Sequence, residues 1–297
     1  MGPWDTLIIV HNFLPVAMAV YACIGLVFLL GFIVFVDLKG SAMASTLQAL
    51  SRPTNAFIIA MWASFPIYGI AESCFDYSDQ TDKASLILAI VALGIMELSF
   101  ICFSWFRAKE IFRAQLSAFW LKGLTFLVQM SPLYCFMTVI PLALQRPFKS
   151  FVFLIFVFLP ATATILIDLF CVASFAKHTI CADGNEKTMQ ASTIHKLRIV
   201  AVYGLMASLC ALIALALFFL SSICVLVAPS LQPNSQVAYV YYLAWIGKDF
   251  ALFGVGHSVL FMKLHLVWER QRLEKLKPAM DPTIHHFPHP VNSTASA

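Results

Sequence analysis

The chain is built from seven nearly uncharged apolar blocks of about 20 residues, the length a helix needs to cross about 30 Å of hydrocarbon. They run roughly from Phe13 to Val36, Phe57 to Cys74, Ala84 to Phe106, Phe119 to Leu142, Phe151 to Phe175, Ile199 to Ala228 and Val237 to Leu264. A helix satisfies every backbone group within such a block, whereas a membrane barrel would show alternating stretches of about ten residues. The sequence therefore predicts an all-α polytopic membrane protein, a bundle of seven transmembrane helices. Composition points the same way, with 61% of residues hydrophobic and 11% charged, against about 25% charged in a soluble domain. The first block is longer than a signal-peptide core and no cationic segment precedes it, so it is expected to stay as a helix of the protein.

Basic residues concentrate in alternate loops, and cations mark the cytoplasmic side of a membrane protein. Lys39, Arg52, Arg107, Lys109, Arg113, Lys177, Lys187, Lys196, Arg198, Lys263, Arg270, Arg272, Lys275 and Lys277 share one side, fourteen against three (Lys83, Arg146 and Lys149) on the other. This bias places the amino terminus outside and the carboxyl tail in the cytosol of a multi-pass plasma-membrane protein. The loop Asp76 to Asp82 is acidic, as an external loop can be. No inverted repeat of the kind found in many transporters is visible. Residues 1–264 form the transmembrane domain and 265–297 the tail. Within that tail, Trp268 to Lys277 mixes Trp and Leu with cations up to Pro278, a pattern for a short helix lying on the inner leaflet. The run His285-His286-Phe287-Pro288-His289 reads as disordered tail, and Asn292-Ser293-Thr294 fits the glycosylation pattern on the cytosolic side. The eight cysteines are scattered without metal-ligand spacing, so neither a disulfide framework nor a cofactor is implied, and nucleic acid is not an expected partner.

Ionisable side chains at bilayer depth are costly unless paired or hydrated, which makes each a functional candidate. Glu97, Asp168, Lys248 and Asp249 form this set. Glu97 in the third block and Lys248 in the seventh lie at similar distances from the outer ends, where two opposite charges can form an ion pair. Such a pair would either fix helix packing or face a ligand. Tyr241, Trp245, Lys248 and Leu252 recur at helical spacing, an aromatic and cationic stripe suited to a small amphipathic molecule entering from outside. Tyr and Trp near the end of a span are also common interfacial anchors. His257 and Ser258 are adjacent on one helix, so their side chains diverge and no nucleophile–base arrangement is formed. Lys122 can reach the membrane surface and is assigned no function.

The markers of rhodopsin-like receptors are absent. The third block ends Ser104-Trp105-Phe106-Arg107-Ala108, the seventh lacks N-P-x-x-Y and the sixth has no proline. The second half of the chain is instead similar to the bitter-taste (type 2) receptors, a family of seven-helix G-protein-coupled receptors. The resemblance rests on Lys177-His178 closing span five, on Ser192-Thr193-Ile194-His195-Lys196-Leu197 entering span six, and on His257-Ser258-Val259-Leu260-Phe261-Met262-Lys263-Leu264 in span seven. Leu98-Ser99-Phe100 and Phe119-Trp120-Leu121-Lys122 compare as well. The asparagine that this family carries in span one has no counterpart, and the second outer loop, Gln145 to Ser150, is shorter than the family's.

The resemblance implies a chemosensory receptor that performs no covalent chemistry, binds a small organic molecule from outside and activates a heterotrimeric G protein from inside. Leu93, Glu97, Tyr241, Trp245 and Lys248 are the candidate ligand residues, and Arg107, Lys109, Arg113, Lys177, His178, His195 and Lys196 the candidate G-protein face. A cationic inner surface suits acidic partner surfaces, and it equally serves topology and contact with anionic lipid. A transporter or channel would use Glu97, Asp168, Lys248 and Asp249 as a charge relay. A retinal protein would use Lys248 as a Schiff base with Glu97 as counterion.

Overall fold

The computed structural model describes residues 3–37, 50–74, 83–140, 151–183, 191–227 and 235–276, and these are helical almost throughout. Helix α1 spans Pro3–Phe32 and continues as a wider π-type turn over Ile33–Asp37. Helix α2 follows at Pro53–Cys74 and α3 at Lys83–Gln115. Then come the short α4 (Ala118–Gln129) and α5 (Ser131–Phe136). Three long helices complete the chain: α6 at Phe151–Asp183, α7 at Ala191–Val227 and α8 at Gln236–Leu276. Five segments are long and apolar enough to cross a membrane: Trp4–Val36, Pro53–Cys74, Ala84–Lys109, His195–Val225 and Gln236–Leu273. The apolar stretch in α6, Phe158–Ser174, is shorter. The acidic loop Asp76 to Asp82, the loop Gln145 to Ser150, the histidines of the tail and Asn292 lie outside the described residues.

Two expectations are revised. The fourth block, expected as one span from Phe119 to Leu142, is divided into α4 and α5 at Met130. The reason is Pro132, which has no N–H to give to the carbonyl of Val128. The Ser131 hydroxyl donates to that carbonyl instead, at 2.6 Å. The segment from Trp268, expected as a separate helix on the inner leaflet, is the continuation of α8. Between His257 and Leu276 there is no glycine or proline to stop the helix. At about 1.5 Å per residue, the 41 residues of α8 extend for about 60 Å, roughly twice the thickness of the hydrocarbon.

Packing follows chain order, with α1 on α2, α2 on α3, α6 on α7 and α7 on α8, and α1 also touching α8. One apolar core joins α1, α2, α3, α7 and α8 through Leu29, Ile58, Trp62, Phe100, Ala207 and Val259. A second joins α3, α4 and α6 through Ile101, Trp105, Phe112, Val128 and Cys171. Close approach of α1 and α2 depends on Gly25, because a Cβ there would stand 2.3 Å from the ring of the buried Trp62. His257 ties α8 to α1. Its Nε2 pairs with the Tyr21 hydroxyl at 3.0 Å and its Nδ1 with the Phe253 carbonyl at 2.8 Å. The neighbouring Ser258 donates to Gly254 at 2.8 Å, so the two side chains do diverge. Phe13, Val27, Phe119, Leu133, Leu166, Leu209 and Phe250 are exposed around the bundle. That many large apolar side chains facing outward suits a hydrocarbon solvent rather than water.

Candidate functional site

A cavity of about 170 Å³ lies inside the bundle. Helix α2 contributes Met61, Phe65, Tyr68 and Glu72, and α3 contributes Leu86, Leu93, Met96, Glu97 and Phe100. Cys135 of α5 and Thr138 just after it close one side, with Pro160 and Thr164 of α6. Ala211 and Phe218 of α7, and Trp245, Lys248, Leu252 and Val255 of α8, complete the wall. Most of these lie in the carboxyl-terminal half of α2 and α7 and the amino-terminal half of α3, α6 and α8. Consecutive helices thus present opposite sequence halves to one cavity, as an up-and-down bundle requires.

Helical geometry selects the lining. Met61, Phe65, Tyr68 and Glu72 are spaced by three or four residues, as are Leu93, Glu97 and Phe100, Ala211, Leu215 and Phe218, and Trp245, Lys248, Leu252 and Val255. Pro160 adds a local device. It cannot donate to the Phe156 carbonyl one turn back, and the Thr138 hydroxyl, from the neighbouring segment, takes that carbonyl at 2.7 Å. The Thr164 hydroxyl in turn donates to the Pro160 carbonyl at 2.9 Å.

Lys248 does not pair with Glu97, as sequence depth suggested. Its Nζ lies 3.0 Å from Glu72 Oε1 and 3.1 Å from Asp249 Oδ1. It also donates to the Tyr68 hydroxyl at 2.6 Å, and that hydroxyl donates to Asp249 at 3.2 Å. The Trp245 indole N–H donates to the same Glu72 oxygen, and Lys248 Nζ sits 3.7 Å from the Trp245 ring centroid. Glu72, Lys248 and Asp249 are all buried. Two carboxylates and one ammonium on α2 and α8 therefore form a compact group that ties the two helices together. Matching depths along two helices cannot say which faces meet, and Glu72 was the closer partner. The sequence carried a signal for it, as Glu72 is an acidic residue inside the second apolar block, but its nearness to the end of that block concealed it.

The other candidates divide. Leu93, Glu97, Trp245 and Lys248 line the cavity. Tyr241 does not; it is buried one turn away, its ring 5.7 Å from that of Trp245, in a small core with Cys224. Glu97 faces the cavity and has no hydrogen-bond or ion-pair partner among the described residues. Asp168 lies outside the cavity, buried between α3, α6 and α7, where it accepts from Ser104 at 2.9 Å and from Ser208.

On the candidate G-protein face, Arg113, Lys177 and His195 are exposed, and Lys109 and Lys196 half-buried. The side chain of His178 lies outside the described residues. Arg107 turns into the bundle, placing its guanidinium 5.0 Å from the Phe103 ring centroid and against the sulfur of Met262 on α8. His195 on α7 stands 3.6 Å from Glu269 on α8. Comparison with protein-family models, with curated proteins and with solved structures gives no match for this chain.

Proposed function

We propose that the chain is a seven-helix receptor of the plasma membrane, with its amino terminus outside. In this reading it binds a small organic molecule from the outer side and signals to a heterotrimeric G protein through its basic inner face. The observation that carries the reading is the cavity. It is lined by six of the seven expected spans, apolar over most of its wall, with a few convergent polar groups, the usual make-up of a small-molecule site. The charge bias of the loops puts the contributing helix halves on the outer side, the side from which a chemosensory ligand would arrive. Among the described residues the inner ends carry the cations Lys109, Arg113, Lys177 and Lys196, with His195 beside them, a basic set that suits an acidic partner surface. The short motifs shared with bitter-taste receptors lean the same way. A ligand would act by binding one packing of the bundle better than another, by an amount equal to its differential affinity for the two.

The test is a calcium readout in cells that carry the full chain and a promiscuous G protein, with an epitope tag after Ala297 to report orientation. Expected are ligand-dependent calcium release and a tag stained only in permeabilised cells. Staining of intact cells overturns the orientation. Flux of a substrate without any G protein replaces the receptor with a transporter, and a visible absorption band on adding retinal replaces it with a retinal protein.

A further inference from the structure

We infer that the cavity selects a compact organic cation, an amine whose ammonium is held by Glu97. The inference rests on the small-molecule reading of the cavity and follows from which of its polar groups are already engaged. An ammonium has three protons, and those of Lys248 have three acceptors, in Tyr68, Glu72 and Asp249, at 2.6, 3.0 and 3.1 Å. The Tyr68 hydroxyl donates to Asp249 and the Trp245 N–H to Glu72. The Thr138 and Thr164 hydroxyls donate to the carbonyls of Phe156 and Pro160. Among the described wall residues, the side-chain protons of Lys248, Tyr68, Trp245, Thr138 and Thr164 thus each have an acceptor within the protein. The acceptors do not all have donors. Glu97 has no partner among the described residues, and Glu72 Oε2 is buried without one.

The count of acidic and basic groups leans the same way. Two carboxyls, Glu72 and Asp249, flank the single ammonium of Lys248, and Glu97 adds a further carboxyl on the wall. An acid would meet further carboxyls and, among the described wall residues, donors already engaged, whereas an ammonium supplies the donors that Glu97 and Glu72 Oε2 lack. Phe65, Phe100, Phe218 and Trp245 surround the space with rings, whose faces attract cations and whose bulk suits an apolar body. Size limits that body, since a cavity of about 150 Å³ is known to take a single benzene ring, close to the volume found here.

The experiment uses the purified full-length chain in lipid nanodiscs and three probes that share one ring and differ in head group: 2-phenylethylamine, 2-phenylethanol and phenylacetate. Thermal unfolding is followed against the concentration of each, because a ligand of the folded state raises the midpoint. The amine should bind at least tenfold more tightly than the alcohol, and phenylacetate should give no shift. Glu97→Gln should weaken the amine at least tenfold and leave the alcohol within twofold. Glu97→Asp, which keeps the carboxyl, should recover part of the loss. Phenylacetate binding as well as the amine, amine affinity unchanged within twofold in Glu97→Gln, or no shift with any probe at millimolar concentration would each overturn the inference. Should Glu97→Gln fail to fold, the probe series on the unaltered chain decides alone. Amine binding without G-protein activation would instead sink the receptor reading and leave the ligand class standing.

Discussion

Replacing Lys248 by methionine tests the packing of α2 against α8 most directly. Its ammonium stands 3.0 Å from Glu72 and 3.1 Å from Asp249. At an effective dielectric of about 20, unit charges at that distance attract by about 5 kcal/mol before the cost of removing them from water is counted. Losing the cation removes that attraction and leaves two carboxylates beside each other in a buried site. Breaking a buried pair in this way costs about 3–5 kcal/mol. Lys248→Met should therefore be among the most damaging single substitutions in the bundle, and Glu72→Gln less so, because Asp249 still neutralises the ammonium. The informative quantity is the coupling between them. In unfolding measurements on nanodisc-embedded protein, Lys248→Met with Glu72→Gln should be less harmful than the summed single losses by at least about 1 kcal/mol. Lys248→Met with Glu97→Gln should be additive to within about 0.5 kcal/mol. Additivity in the first pair together with coupling in the second would refute the arrangement of charges described here and restore the pairing suggested by depth alone.

Two further substitutions address polar groups inside the bundle. Thr138→Val removes the hydroxyl that serves the Phe156 carbonyl freed by Pro160, and should cost about 1–3 kcal/mol in thermal or denaturant unfolding; Pro160→Ala, which restores a backbone donor, should reduce that loss, and no reduction would dismiss the compensation. Asp168→Ala leaves the Ser104 and Ser208 hydroxyls without their acceptor and should destabilise the protein by about 1–3 kcal/mol, with Asp168→Asn intermediate; equal stability of all three proteins would show that the cluster contributes nothing.

The helices were legible because hydropathy reports the solvent, and a lipid solvent admits little besides helices over such lengths. Where helices end was not, since hydropathy marks the exit from the membrane rather than the end of hydrogen bonding. That is why α8 runs on past Lys263 as one helix to Leu276. The break in the fourth block could have been read from Ser131-Pro132, a missing N–H beside a hydroxyl able to stand in for it. Within the site, Trp245, Lys248 and Leu252 were found together because a stripe along one helix is a local property. Pairing Lys248 with Glu97 required knowing which face of α2, α3 and α8 turns inward. One local clue existed, as Tyr68 and Glu72 extend the stripe begun by Met61 and Phe65. Tyr241 shows the opposite limit, sharing the stripe of Trp245 and Lys248 but lying beyond the end of the cavity.

The carboxyls inside the bundle differ in what the folded protein offers them. Asp168 has two serine hydroxyls, Asp249 has Lys248 and Tyr68, and one oxygen of Glu72 has Lys248 and Trp245. Each joins different helices and is stabilised within the bundle. Glu97 is joined to nothing among the described residues. Glu97 is half-buried on the wall of a cavity with room for water-sized molecules, so its carboxyl is open to whatever occupies that space. On the proposed reading, the donor that Glu97 lacks among the described residues would come from a ligand in the cavity. Lys248 is the reverse case. Its ammonium has no proton left to offer, so its work is complete before any ligand arrives. The most conspicuous cation inside the bundle is therefore a fastening between helices, and the carboxyl on the cavity wall without a partner among the described residues is the one we propose for recognition.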